Sequence, residues 1–349
     1  MDISPQSESH VVTVKDIAQH VGVSPSTVSR VLSGANTGMI SGETRKRVLE
    51  AAAKLGYTPN TMARALRGKQ TKLLGVIVRE ISDPFFASFI SLLITSARDL
   101  GYQIVLGHAH SDPQEAIRIG AVLDTRHLDG IFVLGDLHND DTALKQLLQS
   151  NRVVVAMCRG QNPLWIPKVN VDNFAGVEMM LNHLLQLGHR RIVFIDGGWL
   201  GDLRDRRDAF EQYIKDHNLQ ADFLCVEAQV NDGDGGYAAM LKIITRFPRP
   251  TAVFAADDMI AIGALKAAMN SGLSVPRDIS VVGFDDIYMS RFVTPTLTTV
   301  RQPIEEMSNR AMELIVDLIA KHEVAENERS IKIQPELVVR ESSGPASQT

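Results

Sequence analysis

The chain has 349 residues, 44% of them hydrophobic and 22% charged, a composition that excludes a disordered or fibrous protein and suits two or three domains of about 100 to 150 residues each. No apolar run reaches the ~18 residues a membrane span needs, and the only cysteines, Cys158 and Cys225, lack metal-ligand spacing, which argues against both a disulfide framework and a zinc site. The net charge of −5 hides an asymmetry: residues 1–70 carry nine Lys/Arg against five Asp/Glu, while the rest carries 27 against 36, so only a small head suits a polyanion.

Residues 1–11 have neither a basic start nor an apolar stretch and read as a loose tail without a secretory signal, in keeping with a reducing cytoplasm. In "TVKDIAQHVG" the apolar Val14, Ile17, Ala18 and Val21 fall at helical spacing behind Thr13 as N-cap, and Gly22 ends the helix. The next helix starts with Ser24 as cap and Pro25 at its first position, burying Val28, Val31 and Leu32. Two short helices joined by a tight glycine turn match a helix-turn-helix, whose second helix lies in the major groove. Ser26, Thr27, Ser29 and Arg30 fit that role, since small hydroxyls and an arginine donate to phosphate or base edges without repulsion. A third helix, Gly42 to Leu55, is capped by Ser41, carries the Arg45-Lys46-Arg47 run outside, and closes a three-helix core. A helical hairpin used for dimerisation is the alternative.

The segment "NTMARALRGK" has Asn60 as cap and Met62, Ala63 and Leu66 on one face. Seven or eight residues fall short of the ~12 to 15 at which even alanine-rich helices become marginal, so it orders only against a partner. Leu66 between Arg64 and Arg67 has the chemistry of a minor-groove wedge; an ordinary linker is the other reading.

From residue 72 onward, apolar runs such as "LLGVIV", "GIFVLG", "VVVAMC", "RRIVFIDG", "TAVFAADD" and "ISVVGFDD" alternate with helix-length segments, which indicates parallel sheets covered on both faces, in two similar α/β lobes. Ligands of such sheets sit beyond the carboxyl ends of the strands, making Asp136, Asp196, Asp257, Asp258 and Asp285 site candidates, with helix capping the bland alternative for each.

The chain resembles the LacI/GalR family of bacterial transcription regulators through "VTVKDIAQHVGVSPSTVSRVL", "TRKRVLEAAAKLGYTPN" and "ARALRGKQT" in the head, and "GVIVREISDPFFASFI", "LGHRRIVFI", "FAADDMIAIGALKA" and "DISVVGFDDI" in the body. The resemblance implies an all-α helix-turn-helix head over 12–59, a hinge helix and linker over 60–71, and an effector-binding, dimerising body of periplasmic-binding-protein type over 72–341. In that body, 72–170 with 300–328 would form one lobe and 171–299 with 329–341 the other, ahead of a tail over 342–349. DNA contacts are implied for Thr13, Val14, Ser24, Pro25, Ser26, Thr27, Ser29, Arg30, Asn60, Ala63, Arg64, Leu66 and Arg67, with Pro25 and Ser26 at the base-reading positions and Leu66 inserted. For the effector, Phe85 and Phe86 would flank the ligand, Arg206 would hold it, Asp257 and Asp285 would accept from it, and Asp136, Arg159, Asp172 and Asn231 would complete the set. Two departures stand out: the loop "SGANTGMISGE" is a residue or two longer than usual, and Cys158-Arg159 replaces the Asp common after that strand, which would equally favour an anionic effector.

No glycine-rich dinucleotide turn, phosphate loop or nucleophile elbow is found, "NDGDGG" reads as a turn and not a calcium loop, and His108 with His110 lacks a third ligand. The expectation is therefore a cofactor-free, metal-free, cytoplasmic homodimer without enzyme activity. It would bind a roughly palindromic duplex operator, most simply as a repressor, under control of a sugar or sugar derivative. A soluble sugar-binding receptor without DNA function is the rival reading.

Overall fold

The computed structural model describes residues 12–33, 40–57, 70–110, 112–124, 128–136, 142–149, 153–158, 166–198, 201–219, 223–246, 249–322, 324–325 and 328–347. Asn60, Ala63, Arg64, Leu66, Arg67 and Arg159, singled out in the sequence, lie outside the described residues. The chain divides into two compact units, Met1–Lys69 and Gln70–Thr349.

The first unit holds α1 (Val14–Val21), α2 (Pro25–Ser33) and α3 (Gly42–Lys54). Asp16 accepts from both the backbone N–H and the hydroxyl of Thr13 at 2.7 Å, which fixes the start of α1. Gly22, at φ 74°, ends it in a left-handed turn that suits glycine. Ser24 then caps α2 by accepting from Thr27 N–H at 3.1 Å, and Ser41 caps α3 by accepting from Thr44 N–H at 3.2 Å. Ile17, Ala18, Val21, Val28, Val31, Val48, Ala51 and Ala52 close the core, as their spacing predicts. Arg47 turns back and donates to the Val21 carbonyl at 2.6 Å, so one member of the basic run serves the C-terminal end of α1.

The second unit contains two six-stranded sheets of the same order. The first is β11-β5-β4-β3-β1-β2 and the second β12-β10-β9-β8-β6-β7. In the first, β1 (Leu73–Val78), β2 (Gln103–His108), β3 (Gly130–Leu134), β4 (Val153–Met157), β5 (Lys168–Val171) and β11 (Ser330–Ile333) alternate with α4 (Pro84–Asp99), α5 (Pro113–Asp124) and α6 (Thr142–Gln149), and α11 (Ile304–Ile319) packs against this lobe. The second lobe has α7 (Asn173–Gln186), β6 (Ile192–Asp196), α8 (Gly201–Asp216), β7 (Phe223–Glu227), α9 (Gly233–Ile244), β8 (Ala252–Ala255), α10 (Asp258–Asn270), β9 (Ser280–Asp285), β10 (Thr298–Arg301) and β12 (Glu336–Val338). Every pairing is parallel except β10 with β12, and the inner strands are buried on both faces, which is why they read as unbroken apolar runs.

The chain crosses between lobes at Asp172, at Gln302-Pro303 and between β11 and β12. This corrects the expected division in three places. The stretch expected as a tail over 342–349 starts within the second lobe: Ser342 is fully buried, its backbone bonds Val281 and Thr296, and the Gly344 carbonyl accepts from His189 Nε2, because these residues run on along the second sheet. Residues 329–341 do not travel together: β11 pairs with β5, Ser330 to Ile333 opposite Lys168 to Val171, and only β12 joins the second sheet. A short, half-exposed edge strand such as "SIKI" has no apolar run to declare its partner. Residues 300 and 301 stay in the second sheet, because the ladder runs on until Pro303, which has no N–H to give it.

Candidate effector cleft and nucleic-acid face

Both strand orders put the switch point at the central strands, so the loops after β1, β6, β8 and β9 converge. They border a cleft of about 410 Å³ lined by Arg79, Glu80, Ser82 and Asp83 from the first lobe and by Gly197, Leu203, Asn231, Asp257 and Met259 from the second. Its inner end continues to Phe85, Phe86, Cys158, Asp202, Arg206, Asp285 and Gln302.

Arg206, 2% exposed, organises that inner end from the first turns of α8. Its Nη2 meets Asp285 at 2.9 Å, its Nη1 donates to the Ala256 carbonyl at 2.7 Å, and its Nε donates to Asn173 Oδ1 at 3.0 Å. The guanidinium lies 3.8 Å from the ring centre of Phe284, a cation–π contact. Behind Phe284 is Gly176, where a Cβ would come within 2.7 Å of the ring; only glycine lets α7 pack this closely. Asn173 in turn donates to Asp202 at 3.1 Å, and Gln302 Nε2 donates to Asp285 at 2.6 Å.

Burial sets the electrostatics. It pushes the carboxyls of Asp83, Asp202 and Asp257 up, Asp257 to about 6, and takes Asp285 well above the usual carboxylate range against the pull of Arg206. Burial also disfavours the Arg206 charge, but Asp285, Asp202 and Asp257 outweigh it and hold that pKa above the ordinary arginine value. Burial, reinforced by Asp202 and Asp285, takes the Cys158 thiol well above its normal range, so it stays protonated and unreactive. Asp285 sits at φ 117°, a conformation costing about 1–3 kcal/mol that persists where surrounding contacts over-determine it, as Arg206 and Gln302 do here.

The structure thus brings together Phe85, Phe86, Arg206, Asn231, Asp257 and Asp285 from the residues read in the sequence. Phe85 and Phe86 are also core residues, 5% and 4% exposed, meeting edge to face at 5.5 Å. Asp136 closes β3 next to Gly201, and its charge helps to raise Asp202. Asp172 is different: it caps α7 by accepting from Ala175 N–H at 3.2 Å and lies 3.9 Å from Lys332, apart from the residues lining the cleft. Asp257 combines both readings, capping α10 at Ile260 N–H while facing the cleft. Asp196 pairs with Arg207 at 2.9 Å, and Asp258 accepts from Ile287 N–H and the hydroxyls of Ser290 and Thr299, so both are structural. "NDGDGG" is not the turn expected from the sequence: Asp232 caps α9 by accepting from Gly235 N–H at 2.9 Å, and Gly233–Gly236 form the first turn of that helix. The rings of His108 and His110 meet at a tilt with centres 3.7 Å apart beside Glu80, and no group of three or more metal-binding side chains occurs among the described residues.

Arg79, Asp83, Asp202 and Gln302 complete the cleft, Asn173 holds Arg206 and Asp202 from behind its lining, and none of the five was singled out in the sequence. Asp202 and Arg206 are four residues apart, one helical turn, and that spacing was a usable signal. Gln302 and Asn173 had none, because their roles depend on where the chain crosses.

On the first unit, Thr13, Ser24, Pro25, Ser26 and Arg30 are exposed, with Val14, Thr27 and Ser29 half-buried. The hydroxyl of Ser24 lies 2.7 Å from that of Ser26 and 2.8 Å from that of Thr27, so the start of α2 presents a small hydroxyl cluster free of acidic side chains.

Residues 13–60 match the model of the "Bacterial regulatory proteins, lacI family", and residues 181–343 that of a periplasmic binding protein-like domain. The chain is 31% identical over 339 residues to the HTH-type transcriptional repressor PurR of Haemophilus influenzae (strain PittEE), covering 95% of this chain and 98% of that protein. It is 33% identical over 346 residues to the HTH-type transcriptional regulator DegA of Bacillus subtilis (strain 168), with the same coverage. Among solved structures, the lac repressor dimer bound to operator and the anti-inducer ONPF superposes with a TM-score of 0.83 at 26% identity, over 95% of this chain and 99% of that one. The transcriptional regulator CelR in complex with cellobiose gives 0.69 at 30% identity, over the same shares. With the helix-turn-helix, the two-lobed body and full-length similarity in agreement, this chain belongs to the lacI family of bacterial regulatory proteins.

Proposed function

We propose that the chain is a homodimeric, operator-binding transcriptional repressor whose DNA affinity is set by a small polar effector, a sugar or related metabolite, held in the cleft between the lobes. The operator would be met by the exposed face of α2, with Pro25 and Ser26 toward base edges, Thr13, Val14, Ser24, Thr27, Ser29 and Arg30 in support, and Asn60, Ala63, Arg64, Leu66 and Arg67 serving a hinge that enters the minor groove.

The observation that carries the regulatory reading is the position of the cleft's polar network. Asn173 follows one crossover and Gln302 lies on another, and both are bonded to the Arg206–Asp285 pair at the inner end. A ligand that engages these groups together with Arg79 and Asp83 of the first lobe binds one lobe arrangement better than another, and only that difference can shift the equilibrium. The cellobiose held by CelR and the repressor names of the PurR relatives support the reading by similarity.

The test is selection of operator sequences by the full chain from a pool of genomic fragments. A roughly palindromic site should emerge, bound at about 10⁻⁸ to 10⁻¹¹ M in physiological salt. Ser26→Ala should relax sequence preference, and Leu66→Ala should collapse affinity while leaving ligand binding to the body intact. Failure to enrich any sequence overturns the proposal.

A further inference from the structure

The inner cleft leaves buried hydrogen-bond acceptors unmatched, while several of its donors are already engaged within the protein. Arg206 spends Nε, Nη1 and Nη2 on Asn173, the Ala256 carbonyl and Asp285, and Asn173 gives its amide N–H to Asp202. Gln302, 3% exposed, gives its Nε2 to Asp285, and this fixes its orientation, since the flipped amide would set an oxygen against the carboxylate. Its Oε1 is left buried with no donor, and so is Asn231 Oδ1. An unmatched buried acceptor is destabilising, so each favours a ligand that donates to it.

Charge follows the same pattern. Among the described residues, four carboxyls, Asp83, Asp202, Asp257 and Asp285, face Arg79 and Arg206, and of these only Asp285 forms a direct ion pair. Among the described residues of the cleft, Arg79 is the cation not engaged in an ion pair, and it lies over the Phe86 ring at 5.2 Å. Such a site repels phosphate and carboxylate ligands and stabilises a cation that brings N–H and O–H donors with it.

We infer that the effector carries a protonated primary amine on a polyhydroxylated frame, in the chemical class of an amino sugar, with the ammonium among Asp202, Asp257 and Asp285 and donors directed at Gln302 Oε1 and Asn231 Oδ1. This rests on the cleft being the effector site and narrows what it takes.

The experiment is calorimetric titration and thermal melting of the full chain at pH 7.5 with matched probes: glucosamine, galactosamine and mannosamine, the corresponding neutral hexoses, and glucose 6-phosphate. At least one amino sugar should bind, on the order of tenfold or more tighter than its neutral parent, and glucose 6-phosphate should not bind. Asp257→Asn, which keeps the helix cap, should lose that preference and bring amine and neutral sugar to similar affinity. Equal or tighter binding of a neutral hexose overturns the inference while leaving the regulator reading in place. Preference for the phosphate does the same. No response to any amino sugar overturns it as well. Enrichment of no operator by a chain that does bind an amino sugar removes the regulator reading and leaves the ligand class standing.

Discussion

Asp257 and Asp258 are adjacent buried acids with different duties. Asp258, fully buried, ties the 3₁₀ turn Tyr288–Arg291 to β10 by accepting from Ile287 N–H, Ser290 Oγ and Thr299 Oγ1, and burial pushes its carboxyl up to about 7. Asp257, pushed up by burial to about 6, has the Ile260 cap as its one donor among the described residues and faces the cleft. A carboxyl whose folded pKa exceeds its unfolded value near 3.9 binds a proton more tightly when folded. Its contribution is therefore greatest below about pH 4 and is lost as pH rises through about 6. His183 and His189, kept neutral by burial, have the opposite pH dependence, so a simple melting profile mixes the two. Comparison of wild type with Asp257→Asn isolates the acid. The variant should match wild type near pH 4 and become more stable by on the order of 2–3 kcal/mol by pH 8, at 1.36 kcal/mol per pKa unit. Thermal or urea unfolding across that range checks it, and a constant difference at every pH would show that Asp257 is not forced to ionise against burial.

The packing of α7 on the second sheet is an element-scale arrangement that the site depends on. Arg206 packs on the Phe284 ring, and Gly176 allows the helix backbone to close on the same ring. In Gly176→Ala the methyl would stand 2.7 Å from two ring carbons and 3.1 Å from Val300 Cγ1, so the helix or the ring must move. Overpacking of this kind costs about 1–3 kcal/mol, and ligand affinity should fall with stability because Arg206 loses its support. Melting together with ligand titration tests this; a stability loss with unchanged affinity would uncouple α7 from the site. The helices and strands themselves were legible in the sequence because caps such as Ser24-Pro25 and Ser41 and the unbroken runs of β1, β3 and β8 follow local rules. The partners of β11 and the hidden sides of Asn173 and Gln302 were not, since they are set by contacts far apart in sequence. Acidic strand ends pointed to the cleft but could not separate the structural Asp196 and Asp258 from Asp257 and Asp285, because all four share one local pattern.

At the scale of the whole molecule, the decisive quantity is the coupling between two binding events. If effector and operator favour or oppose one another through a shared body conformation, each changes the other's equilibrium affinity by one and the same factor, about 5 to 150 for 1–3 kcal/mol of coupling. That identity holds whether the effector releases the operator or strengthens its grip. Gln302 is the residue at which to perturb it. It sits on a crossover, 3% exposed, and bonds the Asp285 carboxylate that also pairs with Arg206. Gln302→Leu keeps much of the volume and removes that bond together with the free Oε1 acceptor. If the crossover carries the lobe equilibrium, the variant should still select the same operator sequence, since the head is unaltered, and should lose its coupling factor toward unity. Operator binding by fluorescence anisotropy with and without saturating effector, and effector titration with and without operator, measure the two sides of the cycle. Wild type should return one factor from both directions. Operator affinity itself should fall steeply with salt in wild type and variant alike, by about 10³ to 10⁵ between 50 and 200 mM if six to ten phosphates are neutralised, because that dependence belongs to the basic head. A variant with undiminished coupling would place the transmitting element at Asp172 or between β11 and β12.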